Sequence, residues 1–152
     1  MKLKLGKFSN YLNSLKIPLR LSCTTQSGWP VVVSLWYLFQ DDVLLCATQQ
    51  SARVVAYLEE NPRCGFEIAE DRMPYCGIRG QALASFDARA GGEVLELLLH
   101  RYLGSLENPL ARELLSRKGT ETAIILKPVQ VFSWDFSKRM KAVGSVTKKI
   151  CP

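Results

Sequence analysis

The sequence predicts a mainly β fold with added helices: a small antiparallel barrel of six strands with the helices packed outside it. Three observations carry that prediction. The stretch "LRLSCTTQSGWPVVVSLWYLFQDDVLLCAT" breaks at SG and at DD into β-branched and aromatic runs at about residues 19–25, 30–39 and 43–48. Hairpins this short cannot serve as parallel crossovers, which excludes a doubly wound sheet. Strand patterns resume at about 63–70, 75–86 and 122–136, with one helix inserted after the third strand and two before the last.

Each helix has its own signal. Phe8, Tyr11, Leu12 and Leu15 recur at helical spacing, and Pro18 ends that segment. Ser51 is placed to cap a second helix whose apolar face is Val54, Val55 and Leu58, and Asn61-Pro62 stops it. In "GGEVLELLLHRYLG", Leu95, Leu98, Leu99 and Tyr102 form one stripe, with Leu97 and His100 off it. Pro109 opens a further short helix through Leu114 and Leu115.

A chain of 152 residues buries about 70% of its unfolded surface as one ordinary domain, so a single core is expected over 1–152, with the barrel at about 18–136 and a basic tail at 137–152. Apolar content of 47% and charged content of 22% match globular proteins and exclude disordered or fibrous classes. The longest apolar stretch, residues 30–39, is interrupted by Ser34 and is too short for a membrane helix. "MKLKLGKFSN" lacks the apolar segment of a secretory signal, and a cytoplasmic protein is expected. Five cysteines (Cys23, Cys46, Cys64, Cys76, Cys151) without a CxxC pair are read as buried reduced thiols, not as a zinc site. Much of the net charge of +6 comes from Lys138, Arg139, Lys141, Lys148 and Lys149. That cluster is either a solvated tail or a docking point for a phosphate-bearing ligand or nucleic acid, the last of which would make the chain a non-enzymatic basic binding module; the absence of interleaved aromatics argues against single-stranded nucleic acid.

The segment "TQQSARVVAYLEENP" (residues 48–62) carries the candidate binding chemistry. A helix N-terminus offers unpaired amide N–H groups and the positive end of its dipole, an anion site. Thr48 and Ser51 add hydroxyls there, and Arg53 adds a guanidinium with no carboxylate at i+3 or i+4 to neutralise it. Taken alone, these residues make either a phosphate cradle or a capped helix with a solvated arginine.

Four segments in order, "SGWPVVVSLWY", "ATQQSARVVAYLEENPRC", "YCGIRGQALASF" and "KPVQVFSWDF", resemble the FMN-binding split barrels related to pyridoxamine phosphate oxidase. The resemblance covers about residues 18–136 and implies a homodimer with FMN at the subunit interface. Thr48, Ser51 and Arg53 match the phosphate-binding segment, with Arg in place of the usual Lys. Ser34, Leu35 and Trp36 match the strand that runs along the flavin ring, Tyr75 a flavin-contacting position, and Trp134 the tryptophan that the last strand brings near the cofactor. Val33 and Leu38 stand where the B6 oxidases carry an Arg and a Lys, so vitamin B6 oxidation is not assigned. The resemblance implies the broader branch instead: an oxidoreductase that passes a hydride between flavin and a small-molecule substrate, with deazaflavin or haem as the alternative cofactor.

The remaining residues keep two readings each. Tyr75, Arg79 and Gln81 fall on one face of their strand, either lining the cofactor cleft or facing solvent. His100 is expected on the surface and otherwise as a haem ligand, Trp29 in an exposed turn or a dimer contact, and Leu97 at an interface. Trp36 and Trp134 are core residues or cofactor walls.

Overall fold

Hairpin turns set the path of the chain in the computed structural model, which describes residues 4–141 and 150–152. β1 (Leu19–Thr24) pairs antiparallel with β2 (Pro30–Leu35), and β3 (Leu38–Gln40) with β4 (Val43–Gln49). The two-residue loop between β3 and β4 is Asp41-Asp42, both at positive φ (51° and 62°), the twist that tight hairpins require. Asp42 Oδ1 also accepts the Gly6 N–H at 2.7 Å, tying the N-terminal segment to this turn. β5 (Arg63–Ala69), β6 (Cys76–Asp87) and β7 (Glu121–Asp135) complete one seven-stranded antiparallel sheet in the order β2-β1-β5-β6-β7-β4-β3.

The first and last strands of that order are separated in sequence by only Trp36 and Tyr37. Three peptide steps from Leu35 to Leu38 span at most ~11 Å, so the sheet must curl until its edges nearly meet. No ladder joins them, and the barrel stays split. The single strand expected at 30–39 is therefore two, which makes seven strands of the six. Residues 36–37 leave the ladder because α3 (Gly91–Leu103) claims them: the Trp36 ring stacks on Tyr102 (centroids 4.8 Å, 7° between planes), and the Tyr37 N–H donates to Tyr102 Oη at 3.3 Å.

The barrel interior holds Leu19, Leu21, Leu44, Phe66, Ile78 and Ile124 among its buried side chains. α1 (Ser9–Ser14) contributes Tyr11 and Leu12 to this core, and α2 (Arg53–Glu60) contributes Val54, Val55 and Leu58, the face expected from the sequence. α3 and α4 (Pro109–Ser116) cover the outside near the split, where Leu95, Leu99 and Ala111 pack together. The close seat of α3 depends on Gly91: a Cβ there would sit 2.3 Å from the Glu121 carbonyl oxygen. Among the described residues no helix is long and apolar enough to cross a membrane.

One side chain joins α1, α3 and the split. Arg101 on α3 donates to the Leu12 and Leu15 carbonyl oxygens at 2.8 and 2.5 Å and to that of Asn13 at 3.3 Å, so it closes the C-terminal end of α1. Its guanidinium also lies over the Tyr37 and Tyr102 rings, 5.3 and 5.6 Å from their centroids. The two phenol groups extend the same junction, Tyr37 donating to the Leu12 carbonyl at 2.8 Å and Tyr102 to that of Ile17 at 2.9 Å. Burial raises the pKa of both tyrosines, so both remain hydrogen-bond donors.

Two expectations need correction here. Ser51 does not cap α2: the Ala52 N–H bonds the Gln49 carbonyl at 2.9 Å, the turn runs one residue further, and the N-cap falls on Ala52, with no side-chain cap. The cysteines are not all reduced either. Cys76 and Cys151 form a disulfide that ties the C-terminus to the start of β6, while Cys23, Cys46 and Cys64 are free and buried. Burial pushes the Cys64 thiol up to about 11, so it is inert as a thiolate at neutral pH. Of the basic tail, Lys138 and Arg139 lie on α5 (Ser137–Met140), and Lys148 and Lys149 lie outside the described residues.

These contacts set two expectations. Arg101→Met keeps much of the stem but strands several carbonyl groups at the end of α1, and a loss of about 2–4 kcal/mol in chemical denaturation is expected; a change below about 0.5 kcal/mol would remove the clamp from the fold's support. In denaturant without reductant, a thiol reagent should titrate three of the five cysteines, and all five after reduction. A count of five before reduction would mean that the pair is held as thiols, as a reducing compartment would keep it.

Candidate functional site

The polar run at residues 48–51 is mostly engaged in holding the chain's own last strand. Gln50 donates its backbone N–H to the Thr120 carbonyl at 2.8 Å and its side-chain amide to that of Glu121 at 3.3 Å. The Gln49 amide nitrogen donates to Glu121 Oε1 and, at 3.4 Å, to the Arg117 carbonyl, while its oxygen accepts from the Thr120 hydroxyl at 2.5 Å. Gln49 and Glu121 stand directly opposite each other in the β4–β7 ladder, as do Thr48 and Thr122. The two glutamines therefore fix where β7 begins.

Beside this anchor a cleft of about 280 Å³ opens where β2 ends, between β4 and the helices α3 and α4. Ser34, Leu35, Trp36 and Thr48 all line it, four residues singled out from the sequence. Its apolar wall comes from Leu95, Leu98 and Leu114. Gln49, from the polar run beside Thr48, and two residues that the sequence reading missed, Arg117 and Glu121, complete it. Glu121 is only 4% exposed, and burial raises its pKa, opposed by the Gln49 hydrogen bond and the charge of Arg117. No sequence pattern marks it, since an acidic residue just ahead of an apolar run ordinarily reads as a wet strand end.

Ser51 and Arg53 stay outside the cleft wall. Both are exposed, and Arg53, the first residue of α2, makes no hydrogen bond or ion pair among the described residues. Thus the uncapped start of α2 presents an unneutralised guanidinium on the same strand-to-helix connection that carries Thr48.

Tyr75 and Trp134 occupy the opposite end of the sheet. Trp134 pairs with Gly77, packs against Phe136 (centroids 5.3 Å) and buries its indole N–H without a hydrogen-bond partner among the described residues. Tyr75 is partly exposed just before β6, its backbone N–H directed at Met140 Sδ at 3.4 Å. Twelve residue steps along β7 separate Trp134 from Thr122 beside the cleft, up to ~40 Å of strand. One chain therefore carries two separate groups of the expected residues.

Arg79 and Gln81 are exposed, on the outer face of the sheet. Across that face the register aligns Ser34, Arg20, Glu67, Arg79 and Phe132 in one row, and Arg20 donates to Ser34 Oγ at 3.0 Å. Shallow grooves of about 690 and 530 Å³ run beside it, with Val32, Leu83, Val129 and Phe132 exposed along them. His100 is exposed on α3 and does not line the cleft; Trp29 is 73% and Leu97 45% exposed.

No family model and no curated relative matches the sequence. The fold does have counterparts among solved structures. A conserved hypothetical protein from Mycobacterium tuberculosis superposes with a TM-score of 0.74 at 16% identity, covering 99% of this chain and 93% of that one. An F420 reductase gives 0.68 at 19% identity over 81% and 94%. A Clostridium acetobutylicum protein related to general stress protein 26, of the pyridoxine phosphate oxidase family, gives 0.63 at 18% over 88% and 90%. The chain thus has the split-barrel fold of the pyridoxamine 5'-phosphate oxidase-related proteins, as the ordered motifs imply.

The buried carboxylate sets a pH expectation. A folded-state pKa raised above the unfolded value means that the native state binds the proton more tightly, so stability falls as pH rises from the ordinary glutamate range through the raised value. Glu121→Gln removes that dependence. Thermal melts from pH 4 to 7 should show the variant gaining on the parent as pH rises, and a constant difference would contradict the burial of a charge there.

Proposed function

We propose that the chain is a homodimeric flavoprotein, an oxidoreductase acting on a small molecule, with FMN or a deazaflavin as its cofactor. The observation that carries this reading is the convergence of Ser34, Leu35, Trp36 and Thr48 on one cleft, next to a helix start whose Arg53 has no partner among the described residues. A flavin when bound supplies hydride transfer, and the protein supplies orientation and a dry seat.

The residues present suit such a group. Trp36, held flat on Tyr102, offers a rigid aromatic edge, and the leucine wall excludes water. Arg53 and the uncapped amides of α2 suit a terminal phosphate. At about 280 Å³ the cleft is too small to enclose a whole cofactor, so a second surface must cover the remainder. A second copy of the chain is the natural source: it would add Tyr75 and Trp134 of the partner subunit, which lie together at the far end of the sheet. The outer sheet face, with Arg20, Glu67 and Arg79 in a row of alternating charge beside exposed apolar side chains, suits pairing with itself.

The magnitudes agree with a shared task. One charged hydrogen bond contributes about 1.5–3 kcal/mol and a helix end about 0.3–2, short of the roughly 8 kcal/mol of micromolar affinity. Ring burial has to supply the rest. Haem is the weaker alternative, because His100 lies outside the cleft.

FMN titrated into purified protein should bind saturably with a perturbed flavin spectrum. Arg53→Ala should weaken it by about 1.5–3 kcal/mol, roughly 10- to 150-fold, with the melting temperature unchanged. Absence of saturable binding by FMN and by deazaflavin alike would overturn the proposal.

A further inference from the structure

Glu121 is held in place yet left half satisfied. Gln49 takes Oε1, and Gln49 is itself fixed by Thr120 and the Arg117 carbonyl, so the carboxylate cannot readily turn. Oε2 has no hydrogen-bond partner among the described residues and is not sealed off from solvent, so it opens to the cleft that Glu121 lines. Leaving a carboxylate oxygen unpaired in a mostly apolar recess is costly, and a ligand that donates a hydrogen to it recovers that cost.

The neighbouring charge selects the kind of donor. Arg117 also lines the cleft, half exposed, and its only ion pair among the described residues is a loose 3.9 Å contact with Glu113. A cationic amine would gain from Glu121 and lose to Arg117. A neutral group with adjacent N–H and C=O satisfies both. The stacked Trp36 and the leucines favour a flat body of modest size.

We propose that this cleft binds a small, planar, uncharged amide- or lactam-bearing molecule, its N–H donated to Glu121 Oε2 and its carbonyl turned to Arg117. The flat molecule is either the ring of a cofactor or a separate substrate, since both present the same edge. The recognition shares its cleft with the flavin reading but does not depend on it.

The test uses flavin-free protein and two probes of nearly equal shape, 2-quinolone and N-methyl-2-quinolone, followed by calorimetry. The parent protein should bind 2-quinolone at least tenfold more tightly than its N-methyl form. Glu121→Gln keeps an oxygen for Gln49 and turns an N–H toward the ligand, so it should abolish that preference. Leu114→Trp, which fills the cleft from α4, should abolish binding of both. Equal affinity for the two probes, an unchanged preference in Glu121→Gln, or no binding at millimolar concentration would overturn the proposal. Repeating the titration with saturating FMN assigns the source: displacement identifies the cleft as the cofactor's ring seat, and retained binding identifies a substrate pocket. Failure of FMN to bind at all would leave the quinolone result standing and count against the flavin reading alone.

Discussion

The grip of α3 on the barrel's open seam determines most of what this protein presents to a ligand. Arg101 binds the end of α1 from one side and lies over Tyr37 and Tyr102 from the other, so three elements meet at one guanidinium. A lysine offers no planar fork for several carbonyl groups and two ring faces, which is why arginine is demanded here. Because Tyr37 is drawn into that junction, Trp36 is turned out of the ladder and onto Tyr102. The cleft follows from the break in the strand: had residues 36 and 37 continued the sheet, no recess would lie beside Thr48.

A second constraint comes from the length of β7. Its start pairs with Thr48 beside the cleft and its end carries Trp134, so the two expected groups of cofactor residues lie by opposite ends of one strand. Rigid separation of that kind suits a site completed between two copies, each lending one end to the other. The disulfide from Cys76 to Cys151 adds order at the Trp134 end by fastening the chain terminus beside it.

Local chemistry made much of this legible in the sequence. The DD turn, the SG turn and the period-2 runs located the strands to within a residue or two, because short hairpins fix register by themselves. Thr48, Trp36, Ser34 and Leu35 were found from motif order, and the cleft does gather them. What escaped detection was imposed from a distance. Trp36 and Tyr37 have strong strand preference, yet a helix 65 residues further along pulls them away. Ser51 has the residue type of a cap but lies one position too early, because Gln49 closes a turn first. Glu121 and Arg101 carry no pattern, since a polar residue's burial depends on which partners the fold delivers.

Most of the functional account rests on Trp36 and Trp134 meeting around one flat ligand although one chain keeps them apart. The protein has three tryptophans, so their indole N–H signals can be resolved and followed during an FMN titration by heteronuclear NMR. The account predicts that the Trp36 and Trp134 resonances shift together, saturating at the same ligand concentration. Movement of only one of them, or of neither while FMN is demonstrably bound, would contradict it.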